Sequence, residues 1–149
     1  MGATLERFVA GPNAPAAARE RAADYFSDIV VGEDAALLRL LVSEIMTEAV
    51  ERAGHRRRVL ELRLERDETH LHVEVAQGGP AMAAPIGGEP GSELRRAILE
   101  QATSDWGSDR RGGGRLWFEL EMPTAADGGG GSWARTSDLP VAPVSETIN

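Results

Sequence analysis

The chain has 149 residues, 42% hydrophobic and 27% charged, with a formal net charge of -8 and no cysteine. That length suits one domain with some surplus and a core of its own. The negative charge argues against nucleic acid or an anionic membrane as partner, since both reward clustered positive charge. Disulfides and thiolate metal sites are excluded. No apolar stretch approaches the ~20 residues of a membrane helix, and the start lacks a basic-then-apolar signal pattern. A cytoplasmic protein is expected.

Residues 4–10 alternate weakly and are expected to form a first strand, with Leu5, Phe8 and Val9 as its apolar residues. Gly11-Pro12-Asn13 is a turn, and Asn13 suits the cap of the next helix. Pro15 fits a helix first turn. That helix is expected over residues 14–29, with Ala22, Ala23, Phe26, Ile29 and Val30 on one face, and Gly32 breaks it. Glu33-Asp34 opens the next helix, which runs to about Ala53, with Gly54 as its stop. Leu38, Leu41, Val42, Ile45, Met46, Ala49, Val50 and Ala53 give it an unbroken apolar stripe.

His55-Arg56-Arg57-Arg58 reads as a solvated turn leading into a strand. Residues 58–66 and 70–76 then alternate strictly, with Leu60, Leu62, Leu64 and Leu71, Val73, Val75 on one side. Asp67-Glu68 lies at the turn of this hairpin. Residues 77–92 form a loop rich in Gly, Pro and Ala. Residues 93–103 have helical spacing, with Leu94, Ala97, Ile98 and Ala102 facing inward. Gly112-Gly113-Gly114 turns into a last strand over residues 115–122, where Leu116, Phe118 and Leu120 share a face. Segregated strands and helices with one-sided alternation argue for an α+β fold. The expected form is a two-layer α/β sandwich, its mixed and mostly antiparallel sheet covered on one face by helices.

Gly128-Gly129-Gly130-Gly131-Ser132 has the composition of a flexible linker. Residues 1–124 are read as the domain, 125–132 as the linker and 133–149 as an attached peptide. One reading is an engineered linker that tethers a partner's binding segment. Its flexible residues 124–132 span roughly 15–18 Å, which permits near-millimolar local concentration. Trp133, Leu139, Val141 and Val144 would then be its anchors. The other reading is a natural disordered tail.

Four boxes carry a family resemblance. Leu41-Val42-Ser43-Glu44-Ile45-Met46-Thr47-Glu48-Ala49-Val50-Glu51-Arg52-Ala53-Gly54 resembles the asparagine-bearing helix of the anti-sigma-factor serine kinases, which usually reads Val-Ser-Glu-Leu-Val-Thr-Asn-Ala-Val-x-His-Ala. Val73-Glu74-Val75-Ala76-Gln77-Gly78-Gly79-Pro80 resembles their Val-x-Val-x-Asp-Gly-Ser-Pro box. Gly91-Ser92-Glu93-Leu94 stands where they have Gly-Arg-Gly-Leu. Arg115-Leu116-Trp117-Phe118-Glu119-Leu120 is similar to their closing strand. The bias toward Ala, Arg and Gly resembles actinobacterial composition. The resemblance covers roughly residues 14–123 and implies the ATP-binding fold shared with histidine kinases and gyrase.

The resemblance also implies a nucleotide site at Glu44, Glu48, Gln77, Gly79, Gly91 and Glu93, and that site is altered. Glu44 matches the catalytic glutamate, a group suited to accept a proton. Glu48 stands where the family binds magnesium through Asn. It is longer than Asn and brings negative charge toward a triphosphate, one helical turn from Glu44, where like charges repel. Gln77 replaces the Asp that receives the adenine amino group, and no Asp lies between Asp67 and Asp105. Glu93 replaces a glycine that lets backbone amides approach phosphate, and its carboxylate would use the helix start itself. At ~1–2 kcal/mol each, three such changes lower affinity by roughly two to four orders of magnitude.

The expected function follows from that loss. The chain reads as an anti-sigma-factor-like regulator without ATP, magnesium or kinase activity, acting by binding a protein. The partner would be a sigma factor, an anti-anti-sigma protein or another regulator. The emptied pocket or an open sheet edge would be the docking groove, and a homodimer is compatible with the family. The alternative is a working serine kinase that uses ATP and magnesium through Glu44 and Glu48. His70, His72 and Glu74 form a conceivable metal trio, but polar outward residues of a half-buried strand are far commoner. Ser43 and Thr47 read as helix-surface hydroxyls.

Overall fold

Period-two alternation decides which side of each strand meets the helices. The computed structural model describes residues 2–53, 58–77, 93–109 and 114–122. Its elements are β1 (Gly2–Val9), α1 (Ala14–Tyr25), α2 (Gly32–Ala53), β2 (Val59–Arg66), β3 (His70–Gln77), α3 (Glu93–Ala102), β4 (Asp105–Asp109) and β5 (Arg115–Glu121). The strands form one sheet in the order β1-β2-β3-β5-β4. Every neighbouring pair is antiparallel, so the sheet is not mixed as expected.

The α+β architecture stands, with helices packed on one face. Leu60, Leu62, Leu64, Leu71, Val73, Val75, Leu116, Phe118 and Leu120 are all at most 2% exposed and meet the helices in one core. α2 supplies the largest helical share, burying Leu38, Leu41, Val42, Ile45, Met46, Ala49 and Ala53. α1 packs along α2 through Ala14, Ala18 and Ala22, small residues that let the two helices approach closely. No helix among the described residues is long and apolar enough to cross a membrane.

Several boundaries differ from expectation. α1 ends at Tyr25, four residues early. A tight turn follows, closed by Ile29 N–H to Phe26 O at 3.0 Å and Val30 N–H to Phe26 O at 2.9 Å. Asp28 in this turn takes Arg66 of β2 on both carboxylate oxygens, at 2.8 and 2.9 Å. That hydrogen bond holds the Asp28 carboxyl below its usual value. The turn still buries Phe26 and Val30 as expected. Asn13 occupies the cap position of α1, but its side chain makes no capping hydrogen bond. Gly32 opens α2 at φ +62°, a left-handed conformation that L side chains rarely adopt.

In β1 the three expected apolar residues divide between the faces, because Phe8 is odd-spaced from both others. Phe8 packs on the core, while Leu5 and Val9 are 41% and 52% exposed on the far face. Glu6 takes the inner side with Phe8, and Arg21 of α1 meets it at 3.5 Å.

β4 is a strand the sequence did not announce. Asp105-Trp106-Gly107-Ser108-Asp109 is poor in β-formers. It pairs with β5, and Trp106 packs against the core. The expected stop at Gly54, the basic residues 55–57, the loop over 78–92, the turn at Gly112-Gly113, the linker and the peptide at 133–149 lie outside the described residues.

Candidate functional site

Glu44, Glu48 and Glu51 recur at i, i+4 and i+7, which stacks their side chains along one side of α2. Alone, the three carboxylates would repel. α3 supplies the countercharge through Arg95 in its first turn. Arg95 Nε donates to Glu44 Oε1 at 3.0 Å, and its Nη1 donates to Glu48 Oε1. The same Nη1 lies 3.5 Å from Glu51 Oε1. Within α2, Arg52 Nε donates to the other oxygen of Glu48.

This cluster is buried. Glu48 is 2% exposed and Arg95 9%, the two charged residues buried among the described ones. Removing such charges from water is costly unless each is paired and hydrogen-bonded. Burial by itself would make Arg95 give up its proton more readily. The hydrogen bonds it donates to Glu44 and Glu48, with the charges of Glu48 and Glu51, outweigh it and hold Arg95 above its usual value. The guanidinium fork presents several donors in fixed geometry, which suits one cation shared among three acids.

The remaining positions of the altered site divide. Gln77 ends β3 at 7% exposure, and its N–H donates to Gly114 O at 3.3 Å. Glu93 is exposed as the first residue of α3, where a carboxylate favours the positive end of the helix. Ser43 Oγ accepts from Arg19 Nη1 at 3.4 Å. Gly79 and Gly91 lie outside the described residues, as do Trp133, Leu139, Val141 and Val144. The structure thus brings Glu44 and Glu48 to one cation.

That cation was missed in the sequence. Leu94 was expected to face inward, yet it is 72% exposed, while Arg95 and Leu99 are buried. Ile98 and Ala102 pack on the core as expected, and the buried face also takes in Arg95, which meets the acids of α2. The signal was available: three acids at one-turn spacing on an otherwise apolar helix call for a basic residue on a neighbour.

The histidines were considered with Glu74 as metal ligands. His70 Nδ1 lies 2.8 Å from Thr69 Oγ1, and both ring nitrogens of His72 face carboxylates. Among the described residues no group of three His, Asp or Glu is arranged to hold a metal ion.

No protein-family model matches the chain, and no curated protein matches it. The donors here do not fit a magnesium–triphosphate. Glu48 is committed to two guanidinium groups, and a metal ion entering beside it would have to displace the buried Arg95. What the arrangement does is fasten α3 to α2 through charge, at a depth where neither partner can be removed cheaply.

Proposed function

We propose that this chain is a regulator that acts by binding protein, built on a nucleotide-site scaffold that no longer takes ATP. The observation that carries the reading is the ion cluster. Glu48 stands where the resembled serine kinases hold magnesium through Asn, and here its carboxylate faces Arg95 and Arg52 instead. A guanidinium bound in cis does the neutralising that a metal would otherwise do. It cannot bridge phosphates to a carboxylate without leaving its three acids.

The resemblance then suggests the partner class: a sigma factor, an anti-anti-sigma protein or another regulator of transcription or development. Without a phosphorylation step, control would come from competition among partners. Residues 133–149, with Trp133, Leu139, Val141 and Val144 as anchors, are the segment proposed to carry a partner contact.

Thermal melting of the full chain with excess ATP and magnesium tests this reading. A ligand at about 100 times its dissociation constant adds about 2.7 kcal/mol, a shift of several degrees for a domain of this size. The expected result is no shift. A magnesium-dependent rise, abolished in Glu44→Ala, would restore the serine kinase reading. Removing residues 133–149 is expected to lower the melting temperature, and the same peptide added in trans to raise it again.

A further inference from the structure

On the sheet face away from the helices, His72 of β3 stands between two carboxylates. Its Nε2 lies 3.1 Å from Glu74 Oε1, and its Nδ1 lies 3.0 Å from Glu119 Oε2 on β5. A neutral imidazole has one N–H and one bare lone pair. With a carboxylate oxygen facing each nitrogen, the neutral ring would satisfy one contact and set lone pair against lone pair in the other. Only the doubly protonated ring donates to both.

The same ring is stacked on Trp117 of β5, with centroids 5.7 Å apart and planes 21° from parallel. A cation at that distance is attracted by the indole face. Trp117 in turn lies flush on the backbone of Gly107 in β4. A Cβ at Gly107 would come within 2.8 Å of Trp117 Cζ2 and 2.9 Å of Cε2. One proton on His72 thus bears on three strands: β3 directly, β5 through Glu119 and Trp117, and β4 through the indole.

The charges around His72 come from all five strands, with β1 contributing Arg7 through Glu61. β3 contributes Glu74 and His70, and β5 contributes Arg115, Glu119 and Glu121. β2 places Glu65 directly across from His72, Arg63 across from Glu74 and Glu61 across from Ala76. β4 places Asp105 across from Glu119. Three arginines, Arg63, Arg115 and Arg7, oppose six carboxylates here. Arg63 is engaged with Glu65 at 2.8 Å, Arg7 of β1 takes Glu61 at 3.1 Å, and Arg115 lies 3.6 Å from Glu74. The balance favours a further cation, and His72 is placed to be it.

We propose that His72 is a proton-operated clasp on the open face of the sheet: doubly protonated, it ties β3 to β5 and seats Trp117 on β4, and loss of one proton unseats the indole. The proposal is independent of the cluster between α2 and α3. The direction of each titration agrees with the geometry. His72 is raised above its ordinary 6.5, chiefly by the hydrogen bond to Glu74, against the opposing effect of burial and with help from Glu119. Glu74 is lowered from 4.5, chiefly by the hydrogen bond from His72, again against burial.

The signs fix the window. A raised histidine contributes stability that is fully present below 6.5 and is lost as pH rises through its higher folded value. A lowered glutamate contributes stability present above 4.5 and lost as pH falls through its lower folded value. The clasp therefore holds between the lowered titration of Glu74 and the raised titration of His72, and it opens as pH rises through the latter.

The test is a proton NMR titration of the full chain from acid to alkaline pH, following the ring protons of the three histidines and the indole N–H signals. His72→Gln assigns the His72 resonance, and Trp117→Phe assigns the indole. His72 is expected to titrate above the ordinary histidine value of 6.5, with the Trp117 signal moving on the same curve. Each unit between the folded and unfolded titration makes the folding constant tenfold larger at acid pH than on the alkaline plateau. Glu119→Gln is expected to bring the His72 titration down, and it serves even if His72→Gln fails to fold. The proposal is overturned if His72 titrates at or below 6.5. It is equally overturned if the Trp117 signal ignores that titration, or if Glu119→Gln leaves it in place.

Discussion

Arg95 and His72 are both cations held between carboxylates, in opposite settings. Arg95 lies between two helices with its side chain 10% exposed, and its partner Glu48 is 3% exposed. His72 lies on the open sheet face at 23%, beside Glu74 at 14% and Glu119 at 34%. A guanidinium keeps its proton throughout the working range of a protein, so the first cluster is a constant fastening. An imidazole titrates near neutrality, so the second is conditional. The comparison teaches that residue type decides whether a charge cluster is permanent, while burial decides how much depends on it.

The largest way to break this contrast is at Arg95. Arg95→Ala leaves Glu48 buried without its interhelical partner, and breaking a buried pair costs about 3–5 kcal/mol. Urea unfolding at neutral pH would read that loss, and a value under ~1 kcal/mol would place Arg95 with ordinary surface charges. Replacing Glu48 and Arg95 together by Leu and Met is expected to recover most of the stability, because no buried charge is then left alone.

Next in size is Gly107→Ala. The added methyl meets the Trp117 ring closer than van der Waals contact, and overpacking of this kind costs roughly 1–3 kcal/mol. The near-ultraviolet circular dichroism of Trp117 should change with it. An unchanged spectrum and stability would show that the indole is not seated on β4.

Smaller again is the alkaline loss of stability. Melting of the full chain should fall as pH rises above 6.5, and His72→Gln should flatten that slope. Arg95→Lys, by contrast, should leave it unchanged. The smallest effect belongs to Arg7 and Glu61, whose side chains are 65% and 27% exposed at 3.1 Å. Arg7→Ala is expected to cost at most about 1 kcal/mol, and less at high salt.

Much of the fold was legible because it depends on pattern. The alternation in residues 58–66, 70–76 and 115–122 and the long stripe of α2 specify their own buried faces. Two features were not legible for a common reason: each depends on a residue elsewhere. β4 has little strand propensity of its own, Trp106 aside, and is a strand where β5 offers an edge and Trp117 lies against Gly107. Arg95 looks like a helix-surface residue until the acids of α2 are set against it. β1 was expected as a strand and is one, but its apolar residues Leu5, Phe8 and Val9 divide between two faces at period two. In the site, Glu44 and Glu48 were singled out and do come together, but as ligands of a cation the sequence reading did not name.

The most direct test of that cation is a double-mutant cycle at positions 48 and 95. Stability of the parent, Glu48→Ala, Arg95→Ala and the double variant, measured by urea unfolding, isolates the interaction between the two side chains. A coupling of about 2–3 kcal/mol is the expected result, with the double variant losing far less than the sum of the single losses. Additivity within about 0.5 kcal/mol would contradict the account, because Arg95 and Glu48 would then not be partners at the junction of α2 and α3.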